Sequence, residues 1–311
     1  MKYAIGVDIG GTKISLVLGT ETGKILARRE IATWTGAKTK ACVKELVMNL
    51  RALILHSSIP PQKILGIGVG CPGAVNSSKG TLPRSPNLPG WAGLSLKDIF
   101  EKATGLPVCL ANDANAAALG ESFFGTGKNS KNFIYITVST GIGGGIVINR
   151  ELYEGSGFVA GEIGHSSIVP EGKKCACGKL GCLEAYASGT AIAGYYREGK
   201  KKKGLGAKEV GLAARAGDKL AIESYRKAGY YLGIGIANLL NILNPEKVVI
   251  GGGVLKSAHK IFWATLMKSV KQHAWPEAFR TVRIVRSQLK GYVGDLGALA
   301  LVFKHSKCVR P

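Results

Sequence analysis

Acidic residues are scarce in this chain, and long apolar runs are missing. Its 311 residues include 20 Asp and Glu against 42 Lys and Arg, which gives a formal net charge of +22 at pH 7. No run of about eighteen consecutive apolar residues occurs, so the sequence predicts no membrane-spanning helix. The apolar stretch at the N-terminus is interrupted by Asp8 and has no cleavage-site context, so it predicts a β-strand rather than a secretion signal. We therefore expect a cytoplasmic protein without a membrane partner.

The excess of positive charge raises the question of nucleic-acid binding. Basic residues are spread along the whole chain, and their densest block, Lys200 to Lys203, is flanked by glycines as in a solvated loop. The interleaving of basic and aromatic residues that is typical of RNA-binding proteins is absent. We expect no nucleic-acid partner and interpret the charge as a surface property that favours anionic ligands.

The seven cysteines form an odd set, which argues against a disulfide framework. Four of them, Cys42, Cys71, Cys109 and Cys308, are scattered in apolar or helical surroundings. The other three follow a histidine in the spacing H-x9-C-x-C-x4-C, made by His165, Cys175, Cys177 and Cys182. One imidazole and three thiolates favour a closed, structural zinc site, and the C-x-x-C pattern of redox pairs is absent. Redox chemistry or no shared role are the alternatives.

Strands and helices alternate along the whole chain, and the length exceeds what one compact core usually holds. Two segments about 130 residues apart, VDIGGTKISLVLG and VSTGIGGGIVIN, both predict a strand, a glycine turn and a second strand. This echo indicates a duplicated α/β protein with two lobes and a ligand-binding cleft between them. We place the small N-terminal lobe at residues 1–112, completed by a C-terminal helix over about 295–311, and the large lobe at 113–294.

The two glycine turns are candidate phosphate sites. In DIGGTK, glycines let successive backbone N–H groups face one concavity, Thr12 adds a hydroxyl donor, and Asp8 could reach a magnesium ion. Bare hairpin turns are the alternative for each segment taken alone. A second turn, Thr140 to Gly145, favours the phosphate interpretation, and the run Gly251 to Gly253 would let a planar base approach the backbone.

A carboxylate follows the buried strand PVCLAN, where Asn112 and Asp113 begin an alanine-rich helix. A plain helix cap is one interpretation, since Asn and Asp favour that position. A general base that takes a proton from a bound hydroxyl is the other, and the two roles can coexist.

With these pieces in order, the chain resembles the ROK family of bacterial sugar kinases, which is related to actin and hexokinase and has a ribonuclease H-like fold. Seven ordered motifs carry the resemblance: DIGGTK, PNLPGW, ANDANAAALGE, STGIGGG, GEIGH, CACGKLGCLEAYASG and NPEKVVIGGG. The resemblance implies ATP- and Mg2+-dependent phosphorylation of the 6-hydroxyl of a hexose, with a structural zinc ion.

The resemblance also assigns residues to roles. It implies that Asp113 is the general base. The implied sugar contacts are Asn87, Asn112, Asp113, Glu162, His165 and Glu184. The implied nucleotide contacts are Asp8, Gly10, Gly11, Thr12, Lys13, Thr140, Gly141, Gly143, Gly144, Gly251, Gly252 and Gly253. The implied zinc ligands are His165, Cys175, Cys177 and Cys182, so we expect the metal to set the positions of neighbouring sugar contacts.

PNLPGW and GEIGH resemble the corresponding motifs of the bacterial glucokinases in this family, so the resemblance implies glucose as the substrate and a role in glycolysis. N-acetylmannosamine and N-acetylglucosamine kinases share most of these residues, and polyphosphate could replace ATP as the donor. Part of the family represses transcription through an N-terminal helix-turn-helix domain. Because the first strand begins near Tyr3, we expect no such domain here. A homo-oligomer, dimer or tetramer, is a family expectation.

Overall fold

The computed structural model of the protein describes residues 1–85, 87–200, 204–257 and 259–304. Four features of the sequence lie wholly or partly outside this range: Pro86 of PNLPGW, most of the basic block at 200–203, Cys308, and the end of the C-terminal helix beyond residue 304. Among the described residues, no helix combines the length and the apolar character needed to cross a membrane.

The first sheet has five strands in the order β3-β2-β1-β4-β7. Its strands are β1 (Tyr3–Ile9), β2 (Lys13–Thr20), β3 (Ile25–Ala32), β4 (Ile64–Cys71) and β7 (Val108–Asn112). Strands β1, β2 and β3 form an antiparallel meander, whereas β1, β4 and β7 are parallel. A two-stranded sheet, β5 (Ala74–Asn76) and β6 (Thr81–Arg84), follows β4.

Helices cover both faces of the first sheet, so its central strands are buried on both sides. These helices are α1 (Thr39–Leu55), α2 (Leu96–Thr104), α3 (Asp113–Phe124) and α11 (Val293–Lys304). On one face, Ile5 and Val7 of β1 join Leu46 and Leu50 of α1 in the core. On the other face α11 packs directly on the strands, because a side chain at Gly68 would overlap the carbonyl oxygen of Ala298.

The second sheet has the order β10-β9-β8-β11-β12. Its strands are β8 (Phe133–Val138), β9 (Ile142–Ile148), β10 (Glu151–Tyr153), β11 (Lys247–Gly251) and β12 (Arg283–Arg286). Counted along the chain within each sheet, both sheets have the strand order 3-2-1-4-5, which is the structural counterpart of the echo in the sequence. The α/β class predicted from the sequence is confirmed.

The remaining helices belong to the second half of the chain. They are α4 (Glu184–Ala187), α5 (Gly189–Lys200), α6 (Ala207–Arg215), α7 (Lys219–Leu243), α8 (Val254–Ser257), α9 (His259–His273) and α10 (Pro276–Thr281). The long helix α7 lies against α9, where Gly233 leaves no room for a side chain beside Ser269. Buried residues of α7 and α9, including Leu232 and Phe262, form one core with the second sheet.

Contacts divide the chain into two units. The first unit comprises the described residues of Met1–Asn129, Gly145–Ala160 and the segment from Ser287 onward. The second comprises those of Ser130–Gly144 and Gly161–Arg286. This division differs from the boundary predicted at residue 112, because α3 packs against α11 and β4 and therefore groups with the first unit.

Candidate active site

Asp8 and Asp113 lie together at the carboxyl ends of parallel strands in the first unit. Asp8 of β1 is in register with Gly70 of β4, which is in register with Ala111 of β7. A side chain at Gly70 would extend to 3.9 Å from Oδ1 of Asp8 and 3.8 Å from Cα of Asp113. Gly70 thus lies beside both residues, and the Asp113 carboxylate is near enough to act on the pKa of Asp8. The two aspartates predicted from separate motifs therefore share one region of the first unit.

At the start of α3, the helix cap and the exposed acid are two different residues, Asn112 and Asp113. Asn112 is the N-cap of α3, and its Oδ1 accepts the N–H groups of Ala114 at 2.9 Å and Asn115 at 3.3 Å. Its amide nitrogen donates to the carbonyl oxygen of Gly73 at 3.1 Å. Asp113 is the first residue of α3 and is exposed, with Oδ1 accepting the N–H of Ala114 at 2.9 Å. The capping role thus belongs to Asn112, and the Asp113 carboxylate stands at a helix N-terminus, which stabilises its anion.

Negative charge accumulates around Asp8. Burial, followed by the neighbouring carboxylates of Asp113 and Asp295, raises the pKa of Asp8 to about 7, although Lys13 and Arg28 oppose the shift. The Asp8 carboxylate also lies against the first turn of α11, where a side chain on Gly294 would overlap it. A hard divalent cation such as Mg2+ prefers carboxylate oxygens and would relieve this repulsion, so the donor chemistry fits the ion.

A chain of alternating charges leads away from this cluster. Arg28 donates from Nε to Oδ2 of Asp295 at 2.9 Å and lies 2.9 Å from Oε1 of Glu30. Glu30 in turn accepts from Nζ of Lys13 at 2.6 Å. Lys13, beside the first glycine turn, is therefore paired with Glu30, although its side chain is 61% exposed.

The first glycine turn, residues 10–13, has only part of its backbone available for a ligand. The N–H of Gly10 donates to the carbonyl of Lys13 at 2.9 Å, and the carbonyl of Gly10 accepts the Thr33 hydroxyl at 2.7 Å. Gly11 and Thr12 are exposed, and the Gly11 backbone lies near the backbone of Asn87. Within this turn, Gly11 and Thr12 are thus the residues best placed to meet a phosphate.

The second glycine turn is shorter than the sequence predicts. Strand β9 begins at Ile142, so Gly143 and Gly144 are strand residues. Gly144 is buried, and a side chain there would overlap that of Ile163. The turn itself is residues 139–142, closed by the Ser139 N–H donating to the carbonyl of Gly141 at 2.9 Å.

A cavity of about 700 Å3 opens beside this turn, entirely within the second unit. Ser139, Thr140 and Gly253 line it, so it joins the second turn to the glycine run after β11. Sequence reasoning missed its other walls, which are Leu205 and Leu212 on the apolar side and the cations Arg197, Lys208, Arg215 and Lys256. Its size suits a nucleoside, and its cations suit an anionic ligand. These residues come from α5, α6, α8 and the loop before α6, and no fixed spacing in the sequence predicts that they lie together.

The cysteine segment forms a compact ligand set. The donor atoms of His165, Cys175, Cys177 and Cys182 all lie within 4.8 Å of one another. Nδ1 of His165 is 3.8 Å from Sγ of Cys175, and Sγ of Cys177 is 3.7 Å from Sγ of Cys182. Zinc–sulfur bonds of about 2.3 Å give a tetrahedral edge of about 3.8 Å, whereas a disulfide needs about 2 Å. The set fits a tetrahedral zinc ion.

Turns and burial shape this ligand set. Gly178 and Gly181 have φ of 92° and 76°, a backbone conformation that favours glycine and allows tight turns between the thiols. Burial raises the pKa of Cys175 and, to about 12, that of Cys182, whereas the backbone at Lys179 lowers the pKa of Cys177. Two of the three thiols, Cys175 and Cys182, are therefore unfavourable as anions unless a cation joins them.

The residues expected to bind sugar fall into two groups. In the first unit these are Asn87, Asn112 and Asp113. In the second unit Nε2 of His165 faces Oε2 of Glu162 at 3.8 Å, so the imidazole turns its other nitrogen toward Cys175. Glu184 is half-buried, and its Oε2 accepts the N–H of Ile142 at 2.8 Å. Glu162 is exposed, as a hydroxyl-binding carboxylate would be.

Comparison with known proteins places the chain in a family. The ROK family profile matches residues 4–305. A glucokinase of Halalkalibacterium halodurans is 41% identical over 300 residues, which cover 91% of this chain and 88% of that one. A xylose repressor of Caldicellulosiruptor bescii is 31% identical over 96% of this chain and 77% of its own length.

A comparison with a solved structure indicates the same family and its fold. The ROK family glucokinase of Streptomyces griseus, crystallised with glucose and AMPPNP, superimposes with a TM-score of 0.83 and 34% identity. The match covers 97% of this chain and 99% of that one. The actin- and hexokinase-like fold implied by the sequence is therefore confirmed, and the chain belongs to the ROK family.

Proposed function

We propose that the protein is an ATP-dependent hexose kinase that converts glucose to glucose 6-phosphate. The observation that carries the proposal is the exposed Asp113 carboxylate at the N-terminus of α3, with Asp8 beside it. A glucokinase at 41% identity and a ROK glucokinase crystallised with glucose and a nucleotide analogue support the same activity.

In the proposed reaction, the oxygen of the sugar 6-hydroxyl attacks the γ-phosphorus of ATP, and Asp113 accepts the proton that this hydroxyl loses. A new phosphorus–oxygen bond forms, the bond to the β-phosphate oxygen breaks, and ADP leaves. The exposure of Asp113 allows a sugar to reach it, and the separate cap on Asn112 keeps it at the helix terminus without a rearrangement of α3.

Asp8 would hold Mg2+, directly or through its waters, and the cation would neutralise charge on the transferred phosphoryl group. The residues proposed to contact the phosphates are Gly11, Thr12 and Lys13 of the first unit and Thr140 and Gly141 of the second. The adenosine would occupy the cavity lined by Ser139 and Gly253, with apolar contact from Leu205 and Leu212.

Glu162, His165 and Glu184, together with Asn87 and Asn112, are the proposed partners of the sugar hydroxyls. Carboxylate and amide groups bind hydroxyls in pairs and so fix which one faces the base. The four-ligand cluster would hold zinc as a structural ion with no open coordination position.

We further infer that the enzyme works in the cytoplasm, where ATP is available and thiols stay reduced, and that its product enters glycolysis. We infer a homo-oligomer, dimer or tetramer, and no nucleic-acid partner. Size-exclusion chromatography with light scattering tests the oligomeric state. A gel shift with an operator-length DNA duplex, over a range of salt concentrations, tests whether the protein binds DNA as the related repressors would.

The decisive experiment is a panel of hexoses with ATP in a coupled ADP assay. We expect kcat/KM to be highest for glucose, with N-acetylmannosamine and N-acetylglucosamine each lower by about tenfold or more. Faster turnover with an N-acetyl sugar would replace glucose in the proposal while keeping the kinase. Polyphosphate in place of ATP tests the donor, and turnover with polyphosphate alone would contradict the ATP assignment. The absence of phosphorylation with every sugar and both donors would overturn the proposal.

A further inference from the structure

The segment that follows the metal ligands runs along the second glycine turn. The N–H of Gly189 donates to the carbonyl of Ser139 at 2.7 Å. The Thr190 hydroxyl donates to the carbonyl of Thr140 at 2.8 Å. These bonds hold the turn from the side of α5, a few residues beyond the last cysteine ligand.

Glu184 connects this segment to the turn more closely. Its Oε2 accepts the N–H of Ile142 at 2.8 Å, and a side chain on Gly141 would overlap the same oxygen. Its other oxygen, Oε1, lies 3.9 Å from Sγ of Cys175. One carboxylate thus contacts the turn with one oxygen and a metal ligand with the other.

The segment around His165, which precedes the three cysteines, also packs on the turn and on the strand that follows the turn. Gly164, next to His165, lies so close to the carbonyl of Ile142 that a side chain would overlap it. The side chain of Ile163 occupies the space beside Gly144. The N–H of Leu183 donates to the carbonyl of Ser166 at 2.9 Å, which joins the segment around His165 to the segment that carries Glu184.

We propose that Glu184 is a positioning residue that couples metal occupancy of the Cys/His cluster to the shape of the turn at 139–142, and thereby to nucleotide affinity. The coupling rests on the proposed function, in which this turn meets the nucleotide phosphates. His165, Cys175, Cys177 and Cys182 would hold the metal, which would cross-link the segments on either side of Glu184. Without that cross-link Glu184 is held less firmly, and its hydrogen bond from the N–H of Ile142 weakens.

This role differs from the sugar contact that the family resemblance implies for Glu184. A residue that only binds sugar would change the sugar affinity and leave nucleotide binding in the absence of sugar untouched. A residue that positions the turn changes nucleotide binding even when no sugar is present. Calorimetry with Mg-ADP and no sugar therefore separates the two roles.

The first test compares Glu184→Ala and Glu184→Gln with the metal-loaded wild type. We expect the Kd for Mg-ADP to rise about tenfold in Glu184→Ala, with metal content unchanged. Glu184→Gln should be affected less, because its amide oxygen still accepts from Ile142. Glu198→Gln is the matched control: this carboxylate lies on α5, is exposed and pairs with Lys173, so its Kd should equal that of the wild type.

The second test removes the metal by dialysis against a chelator, which is then dialysed away before magnesium is restored. We expect the Kd of the wild type for Mg-ADP to rise about tenfold and to recover when zinc is returned. In Glu184→Ala, metal removal should add little, because both changes disrupt one contact and their effects are not additive. Circular dichroism follows the fold throughout. If the metal-free protein unfolds, the Kd for Mg-ADP of the metal-loaded Glu184 variants still tests the coupling.

The outcomes are distinguishable. An unchanged nucleotide Kd in metal-loaded Glu184→Ala, or in folded metal-free wild type, overturns the coupling while the kinase proposal stands. The coupling is also overturned if the wild type phosphorylates glucose and the Glu184→Ala variant loses only sugar affinity. A wild-type protein that binds no nucleotide overturns the proposed function itself.

Discussion

Nε of Arg28 lies 2.9 Å from Oδ2 of Asp295, and this ion pair joins β3 to the first turn of α11 across 267 positions of the sequence. The Asp295 side chain is only 2% exposed. The pair compensates one of the carboxylates that surround Asp8, so the electrostatics of the first unit depend on a cation far from the glycine turns in sequence.

Replacement of Arg28 by Met should destabilise the protein. The change leaves Asp295 as a buried carboxylate without its guanidinium, and we expect the free energy of unfolding to fall by about 2 kcal/mol, since Arg28 is partly exposed. Urea denaturation measures this change. Arg29→Met, at the next and exposed position of β3, is the control and should cost less than about 0.5 kcal/mol. Equal losses in the two variants would contradict the role of the ion pair.

Asp8→Asn should stabilise the protein more at high pH than at low pH. The pKa of Asp8 is about 7 in the folded protein against 3.8 for the free side chain, so between these values the folded state binds more protons than the unfolded state. The contribution of Asp8 to stability therefore falls as pH rises through this window, and the neutral Asn removes that loss. We expect a gain of roughly 1–3 kcal/mol near pH 8 and almost none near pH 4.

Urea denaturation of both proteins at several pH values, without divalent cations, checks this prediction. A stability difference that does not change with pH would contradict it. The same variant should require far more Mg2+ for activity, because it loses the carboxylate proposed to hold the ion.

Asp113→Asn should abolish turnover while sparing sugar binding. Loss of a general base lowers kcat by about a hundredfold to ten-thousandfold, and the Asn112 cap keeps α3 in place. Single-turnover kinetics and glucose titration measure the two effects. Asp98→Asn, in the first turn of α2, is an exposed acidic control that should keep wild-type activity. Substantial residual turnover in Asp113→Asn would show that the carboxylate is not the base.

Gly68→Ala should destabilise the first unit. The added methyl group would overlap the carbonyl oxygen of Ala298 and push α11 away from β4, at a cost of about 3 kcal/mol. Thermal unfolding should report a clearly lower Tm. Gly291→Ala, where a methyl group meets no atom within 4 Å, is the control and should leave Tm nearly unchanged. A Gly68→Ala protein as stable as the control would show that the helix adjusts freely.

The sequence predicted those features whose signals are local. Strand β1 and helix α3 follow from an apolar run that ends in Asp8 and from Asn112 before an alanine-rich segment. The four metal ligands lie within eighteen positions of one another, counted from His165 to Cys182, so their spacing alone indicated the cluster. The fold class followed from the repeated strand–turn–strand pattern.

Other features depend on contacts that no spacing encodes. The hairpin of β5 and β6 lies in a region whose Pro and Gly content predicts a loop. The N–H of Gly10 is taken by its own turn, which a nest of glycines does not reveal. The walls of the cavity come from helices α5, α6 and α8 and from the loops beside them. The hydrogen bond from Ile142 to Glu184 spans 42 residues. Such partners are chosen by tertiary packing.

The packing of α11 on β1 and β4 has a consequence for the order of events during synthesis. The first strand begins at Tyr3, but the helix that covers one of its faces starts only at Val293. A nascent chain therefore exposes that apolar face until the segment that begins at Val293 has left the ribosome, and closing so long a loop is slow. His165 and the three cysteines of the cluster, by contrast, emerge together within about one to a few seconds at about 5–20 residues per second. All four side chains of the cluster are therefore available long before the apolar face of the first sheet is covered.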